Sequence, residues 1–297
     1  MQPPWVAVLT AVIGAVIGPL LVYFVKYLWE KEHFPPEVGR TPITDPAIRK
    51  KIQDLAEQAR DRPSDPEPCS QLGMLYRDQT GDSQIAIRWF KMSIRRKPNT
   101  SFAYDRIAEV YRDKGQFRKA LQWFMRSAKA DPTNQWPCDR VAEIYRDRFG
   151  DLDKAVHWFE ESARRAPRLS WPRDRLGEIY RDRRHDYDKA IAWFERSAAV
   201  DPHNSWPCDR LGLLFRDVRG DRRKAAEWFV ESARRGSDSQ ETYTGIGLLL
   251  GDEMEWVERT MSKIAELAAL QPANNALQSI REHLRLKMQS LRERPDV

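Results

Sequence analysis

The chain has 297 residues, of which 32% are charged and 41% hydrophobic, and its 50 basic and 44 acidic side chains leave a net charge of +6. So modest an excess does not by itself argue for nucleic acid as a ligand. The charge density suits a thin, much-exposed structure rather than one large buried core.

From the N-terminus, Val6 to Val25 runs for 20 residues without a charge, enough for a helix of about 30 Å, the thickness of a hydrocarbon core. This predicts a transmembrane helix within an anchor at 1–32. Met1 to Trp5 carry no basic side chain and no small-residue cleavage site follows, which argues against a signal peptide. Lys26, Lys31 and Arg40 follow the run and no Lys or Arg precedes it, so a single-pass protein with its repeats facing the cytosol is expected. Gly14 and Gly18 form a GxxxG pattern suited to close helix pairing, the basis for an expected homo-oligomer. Residues 33–64 read as a stiff linker with Pro35-Pro36, then an amphipathic capping helix from Asp45.

The region 65–272 is repetitive. Tyr76, Tyr111, Tyr145, Tyr180 and Phe215 anchor one phrase, and Phe90, Phe124, Phe159, Phe194 and Phe229, each followed three residues later by Ser, anchor a second. The step from a second-phrase Phe to the next first-phrase aromatic is always 21 residues, whereas the step inside a repeat is 13 once and 14 four times. The extra residue is therefore expected in the turn within the repeat. Leu176, Gly177 and Tyr180 share one face of a helix, and the glycine, or its Ala counterparts, permits close approach of a neighbour. Prolines at 137, 172 and 207 suit the opening turn of each first helix, and those at 98, 132, 167 and 202 follow the second. Hairpins of this kind cannot bury both apolar faces alone, so an all-α stacked solenoid follows. A sixth unit is degenerate, and 273–297 reads as a capping helix with a basic tail.

These phrases resemble the tetratricopeptide repeat family. The second copy meets its pattern with Ile107-Ala108, Tyr111, Ala120, Phe124 and Pro132, and the fourth with Leu176-Gly177, Tyr180, Ala190, Phe194 and Pro202. Copies 3 to 5 depart from it by placing Cys138, Arg173 and Cys208 where Trp usually stands, with Trp136, Trp171 and Trp206 two residues earlier. Cys69, Cys138 and Cys208 recur two repeats apart, too far to bridge, and read as buried thiols that fill space.

The first helix of each repeat carries a second periodic face: Phe102, Asp105, Glu109, Arg112; Trp136, Asp139, Glu143, Arg146; Trp171, Asp174, Glu178, Arg181; and Trp206, Asp209, Arg216. On a helical wheel these positions lie opposite the Leu, Gly and Tyr face. The resemblance implies that this face lines a concave, ligand-binding groove. Identical groups at a constant rise suit an extended peptide, while an inter-repeat ladder of Arg146 with Glu143 and Asp174 reads the same residues as self-satisfied. Because Asp105, Asp139, Asp174 and Asp209 would repel a carboxylate, binding of chaperone tails is not expected.

No P-loop, dinucleotide fingerprint, nucleophile elbow or metal-ligand spacing occurs, so neither catalysis nor a cofactor or metal is expected. The expected function is a membrane-anchored adaptor that holds a protein or peptide in its groove. The alternative is a tethered sensor or effector subunit, binding nucleic acid or a signalling ligand through clusters such as Arg95-Arg96-Lys97, Arg164-Arg165 and Arg234-Arg235.

Overall fold

The computed structural model describes residues 44–237, the single positions 239, 242 and 245, and the segments 254–270 and 275–293. Among the described residues there is no strand. The chain is an all-α helical-hairpin repeat solenoid, with helices α1 (Pro46–Asp61), α2 (Glu67–Asp78), α3 (Ser83–Arg96), α4 (Phe102–Asp113), α5 (Phe117–Ala130), α6 (Trp136–Ile144), α7 (Leu152–Arg165), α8 (Trp171–Glu178), α9 (Tyr187–Val200), α10 (Trp206–Asp217), α11 (Arg222–Arg234), α12 (Met254–Leu270) and α13 (Asn275–Arg292). It divides into two compact units, one ending at Val141 and the other starting at Ala142.

In the first unit, Asp45 caps α1 by accepting from the Ala47 amide at 2.8 Å, with Pro46 in the opening turn. Ile52, Leu55, Ala56 and Ala59 fall at helical spacing and are buried, so α1 covers the apolar side of the first hairpin. That hairpin, α2 and α3, contributes Leu72, Tyr76, Trp89 and Phe90 to a core that continues into Ile107 of α4.

The second unit repeats the scheme around Phe159, Leu176, Phe194, Leu211 and Phe229, and is closed by Val257 and Ile264 of α12 and Leu277 and Leu284 of α13. Within each hairpin the second-helix Phe fills a notch left by a small residue on the first. A Cβ added at Gly73 would stand 2.5 Å from the Phe90 ring, and one at Gly212 would stand 2.6 Å from the Phe229 ring. Gly177 faces Phe194 in the same way, so the glycine is required by a ring and not by a turn.

The one-residue length difference appears at the end of the first helix as well as in the turn. α6 and α8 each pass into a π-helical turn, Tyr145–Phe149 and Ile179–Arg183. The amides of Asp151, Asp186 and Asp221 reach back to the carbonyls of Tyr145, Tyr180 and Phe215 at 3.0, 2.9 and 2.9 Å. The shorter second repeat closes the same loop one residue earlier, from Gln116 to Tyr111 at 2.8 Å. The widened turn accommodates the extra residue without moving the next helix out of register. An aspartate then caps each of α3, α7, α9 and α11, from Asp82, Asp151, Asp186 and Asp221.

The single-pass membrane placement is corrected. No helix among the described residues is long and apolar enough to cross a membrane. Even the longest of them, α13 with 18 residues, is interrupted by Arg281, Glu282, Arg285 and Lys287. The segment 6–25, with Gly14 and Gly18, lies outside the described residues.

Candidate functional site

The four aspartates expected to face the groove turn inward instead. Asp105, Asp139 and Asp174 are only 5 to 6% exposed. In the fourth repeat Asp174 accepts from the Ser197 hydroxyl on α9 and from Asn204 Nδ2 at 3.2 Å. In the fifth, Asp209 accepts from Ser232 on α11 at 2.5 Å, from Ser237 at 3.2 Å and from the Thr242 hydroxyl. The first repeat puts Ser70 in this slot, at 2.8 Å from Ser93. In the first, fourth and fifth repeats the slot thus ties the first helix of the hairpin to the second, through the serine three residues after the Phe, whereas the Ser162 hydroxyl of the third repeat has no hydrogen-bond partner among the described residues.

Burial has an electrostatic consequence. It pushes the Asp105 carboxyl up to about 7 and the Asp174 carboxyl up to about 6, although hydrogen bonds from Ser197 and Asn204 act against it at Asp174. The Asp105 Oδ1 is buried with no hydrogen-bond partner.

The aromatic slot is shared between packing and surface. The rings of Trp136, Trp171 and Trp206 stand edge-on to Phe124, Phe159 and Phe194 of the preceding hairpins, with centroids 5.6, 5.7 and 5.6 Å apart. On another side, the guanidinium four residues later lies over each ring: Arg140 at 5.1 Å, Arg175 at 5.3 Å and Arg210 at 5.0 Å. Phe102 keeps the pattern with Arg106 at 5.2 Å, and is 45% exposed. These arginines were not singled out from the sequence, although the recurring Asp-Arg pair four residues after the aromatic carried the signal.

The Glu and Arg slots remain at the surface and are mostly paired. Glu109 binds Arg106 at 2.8 Å and Arg77 of the previous repeat at 2.9 Å, and Glu178 binds Arg175 at 2.6 Å. Arg112, Arg146, Arg181 and Arg216 each bind the next aspartate, Asp113, Asp147, Asp182 and Asp217, at 2.9, 2.7, 2.6 and 2.6 Å. Arg146 therefore pairs with Asp147, while the expected partner Asp174 is turned toward Ser197. The Arg146 guanidinium is held above the usual range first by the Asp147 hydrogen bond and then by the charges of Asp147, Glu143 and Glu178.

The basic clusters proposed for phosphates are largely bound within the protein. Arg96 donates to the carbonyls of Ala59, Arg62 and Asp65 at 2.7, 3.2 and 2.8 Å. Arg235 does the same to Ala198, Asp201 and Asn204 at 2.9, 2.9 and 3.2 Å. Arg164 and Arg165 share Glu161, whose carboxyl the Arg164 hydrogen bond pulls down to about 2. In the first unit, an open pocket of about 330 Å³ lies beside α2 and is bounded by Lys51, Met74, Leu75 and Phe102.

Tetratricopeptide repeat models match residues 103–134 and 173–204, and a Sel1 repeat model matches 69–97, 144–166 and 208–237. The chain carries tetratricopeptide and Sel1 repeats. The two kinds alternate, with Sel1 matches in the first, third and fifth hairpins and tetratricopeptide matches in the second and fourth. Cys69, Cys138 and Cys208, all buried and free, stand in the Sel1-type hairpins. So do the arginines at 96, 165 and 235, where the tetratricopeptide-type hairpins have Ala130 and Val200. Arg173 takes the cysteine slot in the fourth hairpin, where its guanidinium reaches the carbonyls of Leu169 and Ala163 at 2.6 and 3.3 Å. No curated protein matches the chain. Among solved structures it is similar to MamA, at 18% identity over 52% of this chain and 88% of that one, with a TM-score of 0.43. It is also similar to YrrB, described as a tetratricopeptide protein with an unusual peptide-binding site, at 14% identity over 65% and 97% with a TM-score of 0.47. A human IFIT1 dimer with PPP-AAAA follows at 15% identity over 81% and 62%, with a TM-score of 0.44. At these identities the likeness concerns the helical-repeat fold and not a ligand.

Proposed function

We propose that this protein is a non-catalytic scaffold that holds an extended protein segment against the exposed faces of its first helices. The observation that carries this reading is the recurrence, in the same order on successive first helices, of a part-exposed aromatic ring, a guanidinium stacked on it and a carboxylate one turn on, as in Trp171, Arg175 and Glu178. Within each unit such first helices offer apolar contact area with hydrogen-bond donors and acceptors, which suits a peptide backbone with alternating side chains. Their internal ion pairs, such as Arg175 with Glu178, are part-buried but open to the face, so a ligand's polar groups can exchange with them.

A nucleic-acid reading draws no comparable support, because Arg96 and Arg235 direct their donors at backbone carbonyls and Arg164 and Arg234 at glutamates.

The test is selection of random twelve-residue peptides on the full chain, followed by binding to a variant carrying Trp171→Ala and Arg175→Gln. Selected peptides are expected to bind the variant at least tenfold more weakly while its circular dichroism is unchanged. Failure to select any peptide, or equal binding by the folded variant, overturns the proposal.

A further inference from the structure

Four arginines occupy equivalent positions beneath the aromatic slot, and one of them differs in its surroundings. Arg106 and Arg175 are neutralised by a glutamate three residues on, Glu109 at 2.8 Å and Glu178 at 2.6 Å. In the fifth repeat that position is Leu213, a part-buried apolar side chain that, like Trp206, packs against the second unit's core. Arg210 lies 5.0 Å over the Trp206 ring, and its Nε, like those of Arg106 and Arg175, is buried without an acceptor. Among the described residues no carboxylate binds it. Phe102, Trp136 and Trp171 all carry such a stacked arginine, so the geometry is the ordinary one for this array, and what has changed is the replacement of the glutamate three residues on by Leu213.

The acidic groups nearby are already engaged. Asp209, the next residue back, faces the opposite way and accepts from Ser232, Ser237 and Thr242. Asp217 is bound by Arg216 at 2.6 Å. Asp182 is bound by Arg181 at 2.6 Å and also by its Nη2 at 2.8 Å. The repulsion that the sequence placed on this face at Asp209 is therefore removed at the fifth repeat, because that aspartate has turned into the hairpin, while the charge of Asp182 still acts on Arg210.

We infer that Arg210 is the anchor for an aspartate or glutamate side chain of the bound segment, with an apolar neighbour of that residue seated on Leu213 and Trp206. This inference rests on the scaffold reading and gives the partner its chemistry. The complement is a single carboxylate, since among the described residues no carboxylate binds this guanidinium directly, while the nearby Asp182 charge disfavours a doubly charged group. In the second and fourth repeats the protein supplies this carboxylate from its own chain, and in the fifth the ligand supplies it. Recognition of the segment is thereby given a direction, because an acidic residue fits at one end of the row only.

The experiment is the same twelve-residue selection on the full chain, with Leu213→Glu and Arg210→Gln as comparisons. Leu213→Glu restores the side chain found at positions 109, 143 and 178, so the fold accommodates it. Wild-type selections should be enriched in Asp or Glu flanked by an apolar residue, and a selected peptide should lose about tenfold in affinity on either variant. Replacing the peptide's acid by its amide should cost the same factor on wild type and nothing on Leu213→Glu, a coupling that a merely structural effect of the substitution would not produce. Peptides selected without acidic enrichment, or acidic peptides that bind both variants equally, overturn the assignment while leaving the scaffold reading standing. A selection that returns no peptide overturns both.

Discussion

The Ser197 hydroxyl donates to the Asp174 carboxylate across the fourth hairpin, and with Asn204 it makes a nominally surface acid part of the packing. The same slot in the second repeat holds Asp105 with one oxygen unpartnered, and the two sites differ in acidity accordingly.

Asp105 should make stability pH-dependent in the direction opposite to most carboxylates. Its folded value of about 7 lies above the usual aspartate value, so between the two the native state holds a proton that the unfolded chain has released. Its contribution to stability is then present at low pH and is lost as pH rises from about 4 to about 7. Asp105→Asn removes that slope: urea midpoints at pH 4 should be nearly equal for variant and wild type, with the variant more stable by on the order of 4 kcal/mol at pH 8. A variant less stable than wild type at pH 8 would contradict this account.

The notch at Gly177 predicts a size limit. Gly177→Ala pushes a methyl into the Phe194 ring and should cost about 1–3 kcal/mol, whereas Phe194→Ala should cost about 3–5 kcal/mol by opening a cavity. Combining the two should cost less than their sum, because the clash disappears with the ring. Denaturant unfolding of the three proteins checks the sign of that coupling.

Arg234 and Arg235 are adjacent and both bind Glu231, but only Arg235 also reaches Ala198, Asp201 and Asn204. Arg234→Ala should change stability by under about 1 kcal/mol, the range of an exposed pair. Arg235→Ala removes a shared donor from the carbonyls of Ala198, Asp201 and Asn204 and should cost roughly 2–3 kcal/mol. Equal effects in thermal unfolding would show that the carbonyl contacts contribute nothing.

Burial pushes the Cys69 and Cys208 thiols up to about 11 and about 12. Their reaction with a thiolate-specific reagent at pH 8 should therefore follow unfolding, with rates that rise with urea and not with reagent accessibility in the native state. Rapid labelling in the absence of denaturant would place a cysteine at the surface.

The hairpins, the aromatic register and the small residue beneath each Phe were legible because they depend on periodicity within one helix. Tyr180 with Leu176 and Gly177, and Phe194 with Ser197, mark helical faces that need no knowledge of neighbours. The direction of Asp174 was not legible in the same way. A wheel assigns one buried face per helix, but a first helix inside an array is flanked by its own second helix and by the next repeat, so the buried arc is wider than the apolar letters. The recurrence of Ser93, Ser127, Ser162, Ser197 and Ser232 in an otherwise apolar stripe was the available clue, since a buried hydroxyl usually has an acceptor, as Ser197 and Ser232 have in Asp174 and Asp209. The π-turns at Tyr145 and Ile179 were half visible: spacing revealed the extra residue but not how the helix end would absorb it.

Arginines 96, 165 and 235 are separated by 69 and 70 residues, and each belongs to a hairpin of the Sel1 kind. Excising one hairpin of about 35 residues would set two hairpins of the same kind side by side, an adjacency that the five-hairpin array never uses. Excising a consecutive pair would preserve the order of donors and carbonyls. The module in which this array can lengthen or shorten is thus a mixed doublet, and a graft or truncation cut to whole doublets keeps every junction of a type the protein already contains.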